Sequence, residues 1–353
     1  MDPAPGPTRR DLLTGRAVGD ALADRLADAA TAETRSFEAG PTVRLATRAM
    51  ACEFVVALAG GKRREVTHAS DALDMVHHLE QVMTVYRDDA ELARVNREPA
   101  GRPVDLSEDL ADVLKRAIGI SALTDRAFDP TSGPLIRLWR EAKQNRRVPT
   151  DDQIAAALSL TGIDGVRVVG GALEKAAEAR RFDLGAIGKG FAIDRAVGHL
   201  EACAVEDFLV YGGLSSVAAR GRSGENDGWP VGIGDPLRPN RRLGTLVLKN
   251  AAMATSGANN QFFRIGREKF GHIVDPRTGR PADGLLSVTV VTGSATLSDA
   301  LSTAFYVMGL ENSLTFCNTH MGIGTILIPN PDRGGRLTPV VHGIDPAHLD
   351  WSS

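Results

Sequence analysis

Four short stretches carry residue types that could work together chemically. Ser298-Asp299-Ala300-Leu301-Ser302-Thr303 sets a carboxylate and a hydroxyl four residues apart. On a helix that spacing stacks Asp299 and Thr303 on one face. The pair is a hard-oxygen set, suited to Mg²⁺ when water and substrate phosphates complete the shell. A plainer reading also fits: Asp299 as a charge near a helix N-terminus, Thr303 bonding back to a carbonyl. Gly271-His272-Ile273-Val274-Asp275-Pro276-Arg277-Thr278-Gly279 reads as a strand entering a turn, with His272 and Val274 on one face and Ile273 on the other. His272 could move a proton near neutral pH. Arg277 could clamp a phosphate through two N–H groups. A structural role for a strand histidine competes with that reading.

Asp183-Leu184-Gly185-Ala186-Ile187-Gly188-Lys189-Gly190 is the third stretch. Its glycines let backbone approach a ligand closely, and a following helix N-terminus favours anions. It is not a phosphate-binding P-loop, because Asp183 and Gly190 stand where that motif needs Gly and Ser/Thr. The fourth is Ala252-Met253-Ala254-Thr255-Ser256-Gly257, whose hydroxyls, at a strand end, could donate to phosphate oxygens. A Gly-rich turn and local hydroxyl–backbone bonds are the plain alternatives for these two.

The elements that must hold these residues can be read from periodicity. Residues 42–60 predict one or two strands, with the apolar run Phe54–Leu58 buried on both faces. A helix is expected over about 67–86, with Leu73, Val76, Leu79, Met83 and Tyr86 on one face. His77 and His78 lie in it, but adjacent helical residues diverge, so they do not read as a metal pair. Ser107 predicts the start of a helix over 108–123. Phe128–Arg140 reads as a turn entering another helix, and 151–159 as a short helix after Thr150. From about 165, short β-rich runs alternate with Gly-rich turns: VRVVG, FDLG, FLVYGG, SVAARG, WPVGIGDP, GTLVLKN, FGHIVDP, LLSVTVVTG and GTILIP. Helices near 189–202 and 298–308 interrupt them. This segregation predicts an α+β fold rather than a doubly wound parallel sheet. One compact domain from about 41 to 345, with a helical portion around 65–160, is the simplest division. Residues 1–40 read as a polar N-terminal arm.

Composition narrows the partners. At 43% hydrophobic and 24% charged residues, the 353-residue chain is globular in character. A net charge of −3 with no basic block argues against nucleic acid. No run approaches the ~18 apolar residues of a membrane span. Thr8-Arg9-Arg10-Asp11-Leu12-Leu13 resembles a twin-arginine export signal, but charged residues interrupt the apolar stretch such a signal needs. A cytoplasmic location is therefore expected, export through a degenerate signal being the alternative. Cys52, Cys203 and Cys317 match no zinc spacing and read as ordinary thiols.

Taken in order, the motifs resemble the FAD:protein FMN transferase (ApbE) family. The resemblance rests on Met50, Tyr86-Arg87-Asp88-Asp89-Ala90-Glu91-Leu92 with Asn96, and Phe128-Asp129-Pro130-Thr131 with Gly133-Pro134-Leu135 and Trp139. It continues through the Asp183–Gly190 block, Gly212-Gly213, Thr255-Ser256-Gly257, His272 and Asp299, covering about residues 45–310. It implies a largely antiparallel sheet core with packed helices, of T-fold-like architecture. It implies that FAD is the substrate, with Mg²⁺, and that the FMN half passes to a Thr or Ser hydroxyl of an acceptor flavoprotein with release of AMP. By resemblance, Asp299, Thr303 and the Ala186 carbonyl hold the metal and His272 carries the proton. Met50, Tyr86, Asp183, Lys189, Thr255, Ser256 and Arg277 contact FAD. A tyrosine at 86 offers a π-face to a flavin or adenine ring. The chain departs from the family pattern at Ala90, usually Ser; at Tyr211 and Leu214, where Asn and Asp are common; and at Ala258-Asn259, where Asp-Tyr is frequent. Two other functions would use the same residues: an FAD pyrophosphatase with water as acceptor, and a flavin-binding protein without turnover.

Overall fold

The computed structural model describes residues 42–176, 180–257, 262–266, 268–331 and 335–351. The N-terminal arm and the Ala258-Asn259 departure lie outside the described residues. The fold is α+β. Its centre is an eight-stranded sheet whose neighbouring strands all pair antiparallel. In spatial order these are β1 (Thr42–Ala49), β2 (Cys52–Ala59), β6 (Phe208–Gly212), β7 (Ser216–Arg220), β10 (Ala251–Gly257), β13 (Leu285–Thr292), β14 (Gly324–Pro329) and β15 (Val340–His342).

Both faces of this sheet are covered, and strand β2 shows how. Phe54, Val56 and Leu58 point into a core shared with the helices α1 (Arg63–Met83), α6 (Gly188–Ala202) and α7 (Ala295–Thr319). Ala57 points the other way, into a second core with β8 (Trp229–Asp235) and β9 (Arg238–Leu248). The two-residue side-chain period thus divides one continuous apolar run between two layers. A third sheet edge forms where β16 (Leu349–Trp351) pairs with β9, so ordered structure extends past residue 345.

The helical portion comprises α2 (Glu91–Arg97), α3 (Glu108–Leu123), α4 (Gly133–Asn145) and α5 (Asp151–Ser159). The small strands β3 (Val104–Asp105), β4 (Val166–Val169) and β5 (Ala172–Lys175) stand beside them. Ser107 caps α3 by accepting from Leu110 N–H at 3.3 Å. Thr150 and Gln153 form a reciprocal capping box on α5. Trp139, Ala142 and Ile154 make a separate small core with Phe263 and Phe270 of the hairpin β11 (Phe262–Ile265) and β12 (Glu268–Gly271).

Four expectations need correction. Helix α1 ends at Met83, so Tyr86 lies in the following loop and is 68% exposed rather than on the apolar face. The FDLG run is loop, tied by Asp183 N–H to the Pro130 carbonyl at 2.8 Å. Strand β12 stops at Gly271, which leaves His272 in a bend. Helix α7 runs on past 308, broken at Gly309, whose φ of 76° and ψ of −178° interrupt the helical path. Among the described residues no helix is long and apolar enough to cross a membrane.

Candidate active site

The site is built at the start of α7. Ser294 caps the helix by accepting from Leu297 N–H. Asp194, reaching across from α6, accepts from the N–H groups of Ala295 (2.7 Å) and Thr296 (2.9 Å) and from the hydroxyls of Ser294 and Thr296. Asp194 therefore fills the helix-terminal charge role that the plainer reading gave to Asp299. Asp299 lies one turn further in and is 5% exposed. Its Oδ2 accepts from Gly190 N–H at 3.0 Å, its Oδ1 from the Ser216 hydroxyl at 3.2 Å, and the Lys189 ammonium stands 4.0 Å from Oδ1. Gly190 and Asp299 come this close because residue 190 has no Cβ.

Thr303 follows one turn later. Its hydroxyl lies 3.2 Å from that of Ser256, which also meets Ser302 at 2.8 Å. Thr255, the neighbouring strand residue, pairs with Thr289 at 2.8 Å. Asp299, Thr303, Ser256 and Lys189 are thus brought together by α6, α7 and β10. Gly190 N–H, one of the donors a helix start leaves without an intrahelical partner, is taken by Asp299, and Ala186 stands in the turn just before α6. A buried carboxylate with acceptor capacity to spare and a hydroxyl one turn away are oxygen donors of the kind Mg²⁺ takes.

The β1–β2 hairpin borders this set. Its turn residues Met50 and Ala51 both have positive φ, 51° and 59°. Glu80 of α1 holds the turn by accepting from Met50 N–H at 2.5 Å. Beside it, burial pushes the Cys52 thiol up to about 11; Lys189 opposes this, while Asp299 and Glu80 add to it. Cys52 therefore sits in the field of the site, and its neighbour Gly213 would place a Cβ 3.2 Å from the Cys52 Cβ.

Tyr86 and Asp183 are linked by Arg140, a residue that no motif singles out. Arg140 of α4 donates to the Tyr86 hydroxyl at 2.6 Å and lies 4.9 Å from its ring centroid. Burial raises the Asp183 carboxyl above its ordinary range, opposed by the Gly185 N–H and by the Arg140 charge. Asn96 fixes the adjacent backbone, donating to the Phe182 carbonyl (2.9 Å) and accepting from its N–H (2.7 Å). Asn96 stood within the motif, but its partner is 86 residues away and invisible in sequence.

His272 and Arg277 are carried on a different support. The 275–279 turn is pinned by Asp275, which accepts from Gly279 N–H through its backbone, and by Trp139, whose indole donates to the Gly279 carbonyl at 2.8 Å. Gly279 has φ 71°, and a Cβ there would meet Ile154 at 2.7 Å. His272 is exposed at the end of β12, and Ile273 beside it is buried. The Arg277 guanidinium is already gripped by Asp275 through Nε (2.9 Å) and Nη2 (3.0 Å).

Known proteins share this sequence pattern and fold. A model of the ApbE family matches residues 49–327. The FAD:protein FMN transferase of Vibrio cholerae is 31% identical over 264 residues, 74% of this chain and 78% of that protein. The Escherichia coli K12 protein of the same name is 30% identical over 242 residues, 66% of this chain and 69% of its own. In three dimensions the flavin transferase ApbE of Vibrio cholerae superposes with a TM-score of 0.75 at 28% identity, covering 85% of this chain and 97% of its own. The Thermotoga maritima ApbE protein gives 0.76 at 28% identity, with 84% and 96% covered. The chain belongs to the ApbE family.

Proposed function

We propose that this enzyme is a Mg²⁺-dependent FAD:protein FMN transferase, moving the FMN moiety of FAD to a Thr or Ser hydroxyl of an acceptor flavoprotein and releasing AMP. The observation that carries the reading is the buried Asp299, one turn from Thr303 and tied to the Lys189–Gly190 helix start. Asp299, Thr303 and the Ala186 carbonyl would hold the metal. Bound Mg²⁺ supplies charge neutralisation on the pyrophosphate. Lys189, at the positive end of α6, stabilises the departing phosphate. His272 accepts the proton of the attacking hydroxyl, a step worth roughly 10²–10⁴-fold when the base is well placed. The hydroxyl oxygen bonds to the FMN phosphorus, the phosphoanhydride bond breaks, and its electron pair leaves with AMP. Met50, Tyr86, Asp183, Thr255 and Ser256 contact the dinucleotide, and Arg277 reaches phosphate only by leaving Asp275.

The test is mass spectrometry of a flavoprotein carrying a target Thr after incubation with the enzyme, FAD and Mg²⁺, with AMP measured in parallel. Covalent flavin and AMP are expected together, and both should vanish in Asp299→Ala. His272→Ala should bind FAD but transfer nothing. AMP without attached flavin on any acceptor would make the protein a pyrophosphatase, and absence of AMP would make it a binder.

A further inference from the structure

At the far end of α6 from the Lys189 end lies a second cluster of ligating side chains. His199, in the last turn of α6, and Cys203, the residue that caps its C-terminus, face His68 and Asp71, three apart on α1. One donor atom each from His68, His199 and Cys203 lies within 4.8 Å of the others. The Cys203 Sγ is 3.9 Å from His199 Nε2. Asp71 Oδ2 is 4.0 Å from the same nitrogen and 3.9 Å from His68 Nδ1. The two imidazoles meet edge to face, with centroids 6.2 Å apart. All three residues of the triad are half-buried, which leaves an entry path from solvent.

We propose that this cluster is a transition-metal site of the Zn²⁺ class, distinct from the oxygen-lined Mg²⁺ set. A thiolate and two imidazoles are the donors Zn²⁺ takes and Mg²⁺ refuses. Zn–N bonds near 2.0–2.1 Å and a Zn–S bond near 2.3 Å require tetrahedral donor–donor edges of roughly 3.4–3.6 Å. The His199–Cys203 and Asp71 separations of 3.9–4.0 Å need to close by about half an ångström, and the widest pair of the triad, within 4.8 Å, by about 1 Å, which side-chain rotation can supply. Asp71, placed against both imidazoles, supplies the fourth ligand or orients a ring nitrogen. Arg64 donates to His68 Nε2 at 3.2 Å, an exposed contact within one helical turn that can swing away. The sequence hid the site because its ligands come as two helical pairs about 130 residues apart, with no C-x₂-C signature.

The location gives the ion a role. Cys203 follows Lys189 by fourteen residues, roughly 20 Å along the helix. A metal there cannot join the Mg²⁺ set, but it clamps α1 to α6. Those two helices carry Glu80, which holds the Met50 turn, and the Lys189–Gly190 start. The ion is thus a staple beneath the site.

Full-length reduced protein, stripped with chelator, would be titrated with Co²⁺ and then Zn²⁺ in the presence of excess Mg²⁺. One equivalent of Co²⁺ should give the intense visible bands of a tetrahedral ion and a thiolate-to-cobalt charge-transfer band, both erased by Zn²⁺. Zn²⁺ at a hundredfold excess over Kd should raise Tm by about 4–6 °C. Cys203→Ser and His199→Ala, checked for an unchanged metal-free Tm, should each weaken Co²⁺ binding at least ~10–100-fold. Cys52→Ser should keep the charge-transfer band. A weak octahedral spectrum in the wild type, no Tm response, or a charge-transfer band that survives Cys203→Ser would overturn the assignment.

Discussion

The backbone N–H of Gly190 donates to Oδ2 of Asp299 at 3.0 Å, so a side chain in the second turn of α7 satisfies one of the open donors at the start of α6. The two helices can meet there only because residue 190 is glycine. A Cβ would lie 2.2 Å from the Ala295 carbonyl oxygen and 2.8 Å from the Asp299 Cβ. The neighbours on that side are largely backbone, which cannot rotate away.

Gly190→Ala should therefore push α6 from α7 at Asp299, the carboxylate proposed to hold the metal. Overpacking of this kind costs about 1–3 kcal/mol. The larger effect should fall on activity, since a displacement of about 1 Å at the reacting groups costs roughly 100-fold. Steady-state AMP release alongside a thermal melt checks this. A variant with a lowered Tm but full turnover would show that the contact serves only packing.

Asp194 positions α7 without belonging to the proposed metal set. Its carboxylate collects two N–H groups and two hydroxyls at the helix start. Asp194→Ala should cost about 2–3 kcal/mol in urea unfolding, the loss of a cap and of charge-assisted hydrogen bonds. It should also raise the Mg²⁺ concentration needed for half-maximal AMP release, because Asp299 and Thr303 ride on the freed helix. Asp194→Asn, which keeps an acceptor, should recover part of both. An unchanged Mg²⁺ requirement would reduce Asp194 to a stability residue.

The parts legible from sequence are those with local signals. Ser107 and Thr150 marked helix starts because capping is a contact across three residues. The Asp299–Thr303 spacing was readable because a helix makes i and i+4 neighbours. Tyr86 was misplaced on α1 because periodicity cannot see that Thr84 ends the helix in extended backbone. Arg140, Asp194 and the His68–His199–Cys203 cluster were silent for one reason. Each acts on partners 40 or more residues away, and only tertiary packing brings them together.

Asp183 makes pH a probe of the loop before Lys189. Burial raises its native carboxyl above the ordinary value. The native state then binds a proton more tightly than the unfolded chain, whose Asp titrates near ~3.9. Stability is lost as pH climbs from that value through the raised native one, and the full penalty persists above. Asp183→Asn should match wild type in Tm at acid pH below ~3.9 and gain on it as pH rises to neutrality. Its affinity for FAD should fall. A Tm difference that does not change with pH would mean the carboxylate is adequately solvated.

The Met50–Ala51 turn stores strain beside the site. Both residues hold left-handed φ in a two-residue hairpin closed by the Ala49–Cys52 pair, a geometry that favours Asn-Gly. Each non-glycine residue there costs roughly 1–2 kcal/mol. Glu80 counters this by accepting from Met50 N–H. Ala51→Gly should remove the steric cost and, after the added chain entropy of the unfolded state, stabilise by about 0.5–1 kcal/mol. The freer turn adjoins Cys52, within the field of Lys189 and Asp299, so the KM for FAD should rise even as the denaturation midpoint moves up. A lower midpoint would mean that Ala51 is not held left-handed. A higher midpoint with an unchanged KM would mean that the turn's rigidity plays no part in placing the substrate.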